Sequence, residues 1–143
     1  MLNHKEIIIL VAEDDDGHAE LIIEGLRESG LKNKIIRFSD GLELWNFLTS
    51  SYQEEKIEKS NEYLILLDIN MPRMDGVEVL ERIKSDVLLK DIPIMMLTTT
   101  DDPREIEKCY QLGCNVYVTK PVDFKRFAET LNRLGLFLQI IKV

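Results

Sequence analysis

Only two cysteines and two histidines occur among the 143 residues. Cys109 and Cys114 are too few for a disulfide framework, and their spacing completes no zinc motif with His4 or His18. Both thiols read as reduced packing residues, and His18, with no second ligand at helical spacing, reads as a surface or boundary residue. Basic residues are also short: 18 Lys and Arg face 26 Asp and Glu, a formal net charge of −8. That balance repels nucleic acid and anionic membrane, and no basic patch overrides it. No apolar run approaches a membrane span, and the opening "MLNHKEIIILVAEDDD" lacks the small-residue cleavage site of a signal peptide, so a cytoplasmic protein is expected. Internal repeats and low-complexity tracts are missing as well. What remains is a 45% hydrophobic chain of a length that fills one domain, 1–143, with no room for a second.

Short apolar runs alternate with segments of helical period. The runs are "EIIILVA" (Glu6 to Ala12), "KIIRF" (Lys34 to Phe38), "YLILLD" (Tyr63 to Asp68), "IPIMMLT" (Ile92 to Thr98) and "NVYVT" (Asn115 to Thr119). Their continuous apolar character suits parallel strands covered on both faces. Between them, Ala19, Ile22, Ile23 and Leu26 share one helical face, ended by the Gly of "ESGL". Asp40 and Asp75 stand where they can cap "GLELWNFLTS" and "GVEVLERIKSD", the latter turning Val79, Leu80 and Ile83 to one side. Pro103 suits a first turn, with Ile106, Cys109 and Tyr110 expected inward. A last helix is expected from about Val122 to the end, carrying Phe124, Phe127, Leu131 and Leu134. Five strands and five helices make a doubly wound α/β fold with a parallel sheet. The polar "SSYQEEKIEKSNE", Ser50 to Glu62, reads as a solvated helix extension plus loop, with a partner contact as the other reading.

In such sheets ligand chemistry collects beyond the carboxyl ends of the strands. The first strand runs into Glu13, Asp14, Asp15 and Asp16, the third ends on Asp68, the fourth on Thr98 and the fifth on Lys120. Gathered carboxylates resist ionisation unless a cation joins them, and a hard divalent ion such as Mg2+ suits oxygen ligands. Beside it Asp68 can act as an oxygen nucleophile towards phosphorus, giving an acyl phosphate. Thr98 offers a hydroxyl and Lys120 an ammonium to phosphoryl oxygens. Taken singly, each has a blander role: Asp68 as a turn residue, "EDDDG" as a helix cap, Thr98 as a cap and "KP" as a turn. It is their joint placement at successive strand ends that points to a pocket.

The stretches "ILVAEDDDGHAELI", "LLDINMPRMDG", "IPIMMLTT" and "VYVTKPVD" resemble the signatures of the response-regulator receiver domain of two-component signalling, over nearly the whole chain. The resemblance implies a flavodoxin-like sheet in the order 2-1-3-4-5; with nothing after "LFLQIIKV", a single receiver domain without an output domain is expected. It implies Asp68 as phosphoacceptor, Asp14 as a direct Mg2+ ligand, Glu13 as a direct or water-mediated one, and Asn70 lending its backbone carbonyl. It further implies Thr98 as switch hydroxyl, Lys120 as phosphate partner and Tyr117 as the aromatic that turns inward on activation; a half-buried strand aromatic is the plainer reading of Tyr117. Pro121 matches a proline whose preceding peptide is commonly cis. Glu13 replaces the Asp of many members, which lengthens one arm of the site. The insertion before the third strand, "CNVYVTKPVDFKRF" and the apolar tail resemble the single-domain regulators that partner bacterial phytochromes.

The implied partner is a sensor histidine kinase, such as a bacterial phytochrome, and the output is a contact with another protein that the sequence does not name. A haloacid-dehalogenase-like phosphatase shares the strand-end Asp, Mg2+, hydroxyl and Lys, but resembles D-x-D where this chain has Asn70. A flavodoxin-like cofactor binder would want a Ser, Thr and Gly cradle where "EDDDG" repels phosphate. A phosphorylation-independent interaction module is the third alternative. In "RLGLFLQIIKV" the residues Leu134, Leu136, Phe137, Leu138, Ile140 and Ile141 exceed one core-facing stripe. That excess predicts a homodimer through the fourth helix, fifth strand and fifth helix, or a tail folded back on its own domain.

Overall fold

A computed structural model describes residues 6–53 and 61–140. In chain order the elements are β1 (Glu6–Ala12), α1 (Asp16–Glu28), β2 (Ile35–Phe38), α2 (Gly41–Gln53), β3 (Asn61–Leu67), α3 (Gly76–Lys84), β4 (Ile94–Thr98), α4 (Pro103–Leu112), β5 (Val116–Thr119) and α5 (Phe124–Ile140). The sheet runs β2-β1-β3-β4-β5, every pair parallel. Its register sets Ala12 beside Leu67 and Thr98 beside Thr119, so these strands finish near one edge.

The alternation of side chains explains why each strand reads as a continuous apolar run. Ile9, Val11, Leu64, Leu66, Met95 and Leu97 face α1 and α5, meeting Ile22, Leu26, Phe127, Leu131, Leu134 and Leu138. Ile8, Leu10, Ala12, Ile65, Leu67, Ile94 and Met96 face the other way, meeting Leu44, Leu48, Val79, Leu80, Ile83 and Cys109. Both faces of the sheet are therefore core.

Five aspartates, one before each helix, accept a backbone N–H: Asp15 from His18 at 2.8 Å, Asp40 from Glu43 at 2.8 Å, Asp75 from Glu78 at 2.9 Å, Asp102 from Arg104 at 2.9 Å and Asp123 from Lys125 at 2.8 Å. Gly30, with φ of 99°, follows the end of α1 as the expected stop. At the end of α4, Gly113 turns left-handed with φ of 111°, its N–H reaching Tyr110 O while that of Cys114 reaches Cys109 O. This closure carries both cysteines into the core as free thiols. Burial pushes Cys109 up to about 11 and raises Cys114 too, which suits packing and not reactivity.

Some expectations are corrected. Tyr110 is 48% exposed, not inward. Its hydroxyl accepts the Tyr117 backbone N–H at 3.0 Å, because β5 is an edge strand whose outward amide needs a partner. Phe124 is 66% exposed and Val122 wholly so, since α5 starts only at Phe124, beyond the end of β5 where no strand covers its first turn. Several strands begin a residue or two away from their apolar runs. No cis peptide occurs among the described residues, so Lys120–Pro121 is trans. In the segment Ser50 to Glu62, α2 extends to Gln53 and β3 begins at Asn61, while residues 54–60 lie outside the described ones.

Candidate functional site

The sheet's hydrogen-bond ladder continues one residue past its strands. Glu13 N–H donates to Phe38 O at 3.0 Å, Asp68 N–H to Ala12 O at 3.1 Å and Lys120 N–H to Thr98 O at 2.7 Å. Glu13, Asp68 and Lys120 are thus set at the carboxyl edge by backbone hydrogen bonds. Glu13, Asp68, Thr98 and Lys120 are all buried there, an arrangement no apolar core would tolerate without internal pairing.

That pairing is concrete. The Lys120 ammonium bonds the Glu13 carboxylate and stands 3.4 Å from Asp68 Oδ2, while Asp68 Oδ1 accepts the Ile69 N–H at 2.7 Å. Burial pushes the Glu13 carboxyl up to about 7, outweighing the downward pull of Lys120, and the Asp68 charge adds to the rise. Asp14 is exposed at the mouth. Each of Glu13, Asp14 and Asp68 places one carboxylate oxygen within 4.8 Å of the others. Hard oxygen donors in that number, repelling one another, fit a divalent cation. Asn70 lies two residues beyond Asp68 at the exposed start of the β3–α3 loop.

Thr98 is 0% exposed, and its hydroxyl oxygen has no hydrogen-bond partner among the described residues. A buried hydroxyl left unmatched is costly and calls for an explanation. Tyr117 is half-buried against the core, with its hydroxyl donating to Thr100 O at 2.6 Å. Burial pushes that phenol up to about 12. Tyr117 therefore bridges β5 to the loop that follows Thr98.

Three residues near the site escape sequence reasoning. Arg37 of β2 donates to Glu13 O at 2.8 and 3.1 Å, to Asp14 O at 3.2 Å and to Asp16 Oδ1 at 2.7 Å, clamping the loop that carries the acids. The only signal was a base interrupting "KIIRF". His18, read as a boundary residue, sets Nδ1 3.4 Å from Lys120 Nζ and its ring edge-on to Phe127. In the β3–α3 loop, Arg73 has φ of 65° and bonds Asp40 Oδ2 at 2.8 Å. Two glycines let that loop pack closely: a Cβ on Gly76 would overlap Asp68 O, and one on Gly41 would overlap Met74 O.

Comparison with known proteins agrees with this geometry. The family model "Response regulator receiver domain" matches residues 9–132. Response regulator Rcp1 of Synechocystis is 37% identical over 130 residues, 91% of this chain and 87% of that protein. A crystal structure of the Mn2+-bound form of Rcp1 superposes with a TM-score of 0.81 at 33% identity, covering 92% of this chain and 93% of that one. A receiver domain from Rhodospirillum rubrum gives a TM-score of 0.87 at 42% identity, covering 93% and 94% of the two chains. The phosphorylated cyanobacterial phytochrome response regulator RcpA gives 0.80 at 34%, covering 94% and 93%. With a matched model spanning most of its length and an acid, hydroxyl and lysine pocket at the expected sheet edge, the chain belongs to the response regulator receiver domain family of two-component signalling.

Proposed function

We propose that this protein is a phosphoaspartate switch that takes a phosphoryl group from a sensor histidine kinase onto Asp68 and signals through its α4–β5–α5 face. The observation that carries this reading is the fully buried, unpartnered hydroxyl of Thr98, at the same sheet edge as the Asp68 carboxylate and the Lys120 ammonium. An Asp68 oxygen attacks the phosphorus of a phosphohistidine; the O–P bond forms, the P–N bond breaks, and its electron pair leaves on the imidazole nitrogen. Glu13, Asp14, Asp68 and the Asn70 carbonyl would hold Mg2+, which when bound offsets charge on the transferring phosphoryl oxygens. Lys120 pairs with the new phosphoryl oxygens, and Thr98 gains the partner its hydroxyl lacks. Because the phosphoryl group is accepted on the chain's own Asp68, the protein acts as a regulator and not a turnover enzyme, its pocket assisting both the gain and the later hydrolytic loss of that group.

Drawing Thr98 inward moves the following loop, to which Tyr117 is tied through Thr100 O. Tyr117 then changes position, and phosphorylation shifts an equilibrium between two surface states. RcpA and other relatives described as phytochrome response regulators support a bacterial phytochrome as the kinase; the encounter would take place in the cytoplasm. Incubated with Mg2+ and acetyl phosphate, the protein is expected to gain one phosphoryl mass increment that hydroxylamine removes. No increment from acetyl phosphate or from a phosphorylated kinase domain would overturn the reading.

The dimer follows from how α5 divides its apolar residues. Phe127, Leu131, Leu134 and Leu138 are buried in the core, whereas Leu136 and Phe137 are 48% and 45% exposed. Against α1, Leu131 crowds Gly25 and the Gln139 amide donates to Ser29 O at 2.9 Å. At helical spacing Phe137 lies on the opposite flank of the core stripe from Gln139, towards the β5 edge. A second copy meeting this flank would cover Phe137 in a symmetric pair. Sedimentation should show a dimer that phosphorylation strengthens and Phe137→Asp dissolves. Monomers in both states at roughly tens of micromolar, or a dimer indifferent to the substitution, would rule this interface out.

A further inference from the structure

The loop between β3 and α3 has a strained centre held by a partner from another element. Met74 N–H donates to Pro72 O at 2.7 Å, closing a tight turn about Arg73, whose φ is 65°. A long side chain in that region is uncommon, and such turns persist only where their surroundings enforce them. Here the enforcement is visible. Arg73 Nε donates to Asp40 Oδ2 at 2.8 Å, and its Nη2 stands 3.9 Å from Glu43 Oε1. The opposite oxygen of Asp40 is already fixed, because Oδ1 caps α2 through Glu43 N–H at 2.8 Å. Asp40 therefore has no freedom to follow the loop; the loop is held to α2.

The loop is pinned elsewhere by features that would survive without this contact. Gly76 N–H bonds Ile69 O at 2.8 Å, Met71 and Met74 are buried, and Gly41 lies against Met74 O. Between those anchors, the solvent-exposed residues are Asn70, Pro72, Arg73 and Asp75. Of these, Arg73 alone carries the positive φ.

We infer that Arg73, latched to Asp40, is a positioning residue for the divalent-metal site: it holds the β3–α3 loop that carries Asn70, whose carbonyl would join the Glu13, Asp14 and Asp68 carboxylates around the ion. The inference rests on the metal reading given above and adds the residue pair that sets its affinity. Groups that orient a metal ligand from outside typically change affinity about 10- to 100-fold when removed.

The test is Mg2+ titration calorimetry on the full chain, with circular dichroism to confirm folding. Arg73→Ala is expected to weaken Mg2+ binding by about tenfold. Asp40→Asn should do the same, because Asn still caps α2 but lacks the charge. Arg73→Lys, which keeps the charge, should recover most of the loss. The double variant should be no worse than either single one, as expected when two residues act through one contact. Thermal midpoints should not follow the order of affinities, which separates positioning from general stability. Arg73→Ala and Asp40→Asn each binding Mg2+ within about twofold of wild type, or losses that simply multiply in the double variant, would overturn the latch. A wild-type chain that binds no Mg2+ would overturn the metal reading itself and the latch with it.

Discussion

Asp68→Asn is expected to reduce phosphoryl incorporation from acetyl phosphate or from a histidine kinase to background while leaving the domain folded. The amide has the shape of the carboxylate and can still accept the Ile69 N–H that Asp68 Oδ1 receives at 2.7 Å. The ladder bond from Asp68 N–H to Ala12 O is unaffected, so the strand end stays where it is. What disappears is the anionic oxygen needed to attack phosphorus. Removing a negative charge from beside buried Glu13 also relieves repulsion, so the thermal midpoint should hold or rise. Intact-mass measurement after acetyl phosphate treatment decides the matter. Labelling equal to wild type would move the acceptor to another residue.

Asp14→Ala should cost roughly a hundredfold or more in Mg2+ affinity with little change in stability. Asp14 is exposed and contributes to no core, yet it supplies one of the three carboxylate oxygens that converge within 4.8 Å. Loss of a charged ligand from so small a set is the most damaging change a hard-cation site can suffer. A companion effect concerns pH. Burial holds the Glu13 carboxyl protonated up to about 7, against an ordinary value of 4.5 in the unfolded chain. Between those values the folded state binds more protons than the unfolded one, so this group's stabilising contribution is complete below 4.5 and is lost as pH rises through about 7. A cation that needs the carboxylate form acts in the opposite sense. The rise in thermal midpoint on adding Mg2+ should therefore be larger at about pH 8 than at about pH 6. Wild-type Mg2+ affinity in Asp14→Ala would remove that residue from the site, and a rise insensitive to pH would remove Glu13.

The sheet was legible because both of its faces are core. Ile9 and Leu10 point to opposite sides and are both buried, which is why an uninterrupted apolar run, alternating with helical segments, suits a covered parallel strand. The pocket was legible for a related reason: Glu13, Asp68, Thr98 and Lys120 each follow such a run directly, and the ladder carries them to one edge. Side chains that reach the site from elsewhere were not legible. Arg37 and Arg73 act on backbone or carboxylate groups 24 and 33 residues away, and nothing in local spacing encodes which acid a given base will meet. Tyr110 and Phe124 sit at helical intervals that suit a core face. Their exposure is decided by where the sheet stops, a property of the assembled fold and not of either helix.

The hydroxyl of Tyr110 on the outer amide of β5 has a consequence for how copies of this protein can grow together. An open strand edge is a template: another strand can add to it, and then another, without limit. On β5 the outward amide of Tyr117 is already occupied, the strand is only four residues long, and an aromatic ring lies across the approach. An incoming strand would have to expel that ring before forming its first bond. Runaway polymerisation along the sheet is thereby opposed at the β5 edge, and association there is left to side chains on the flanking helices. Contacts of that kind can close on themselves after two copies, as the proposed dimer of the switch would need in order to come apart again.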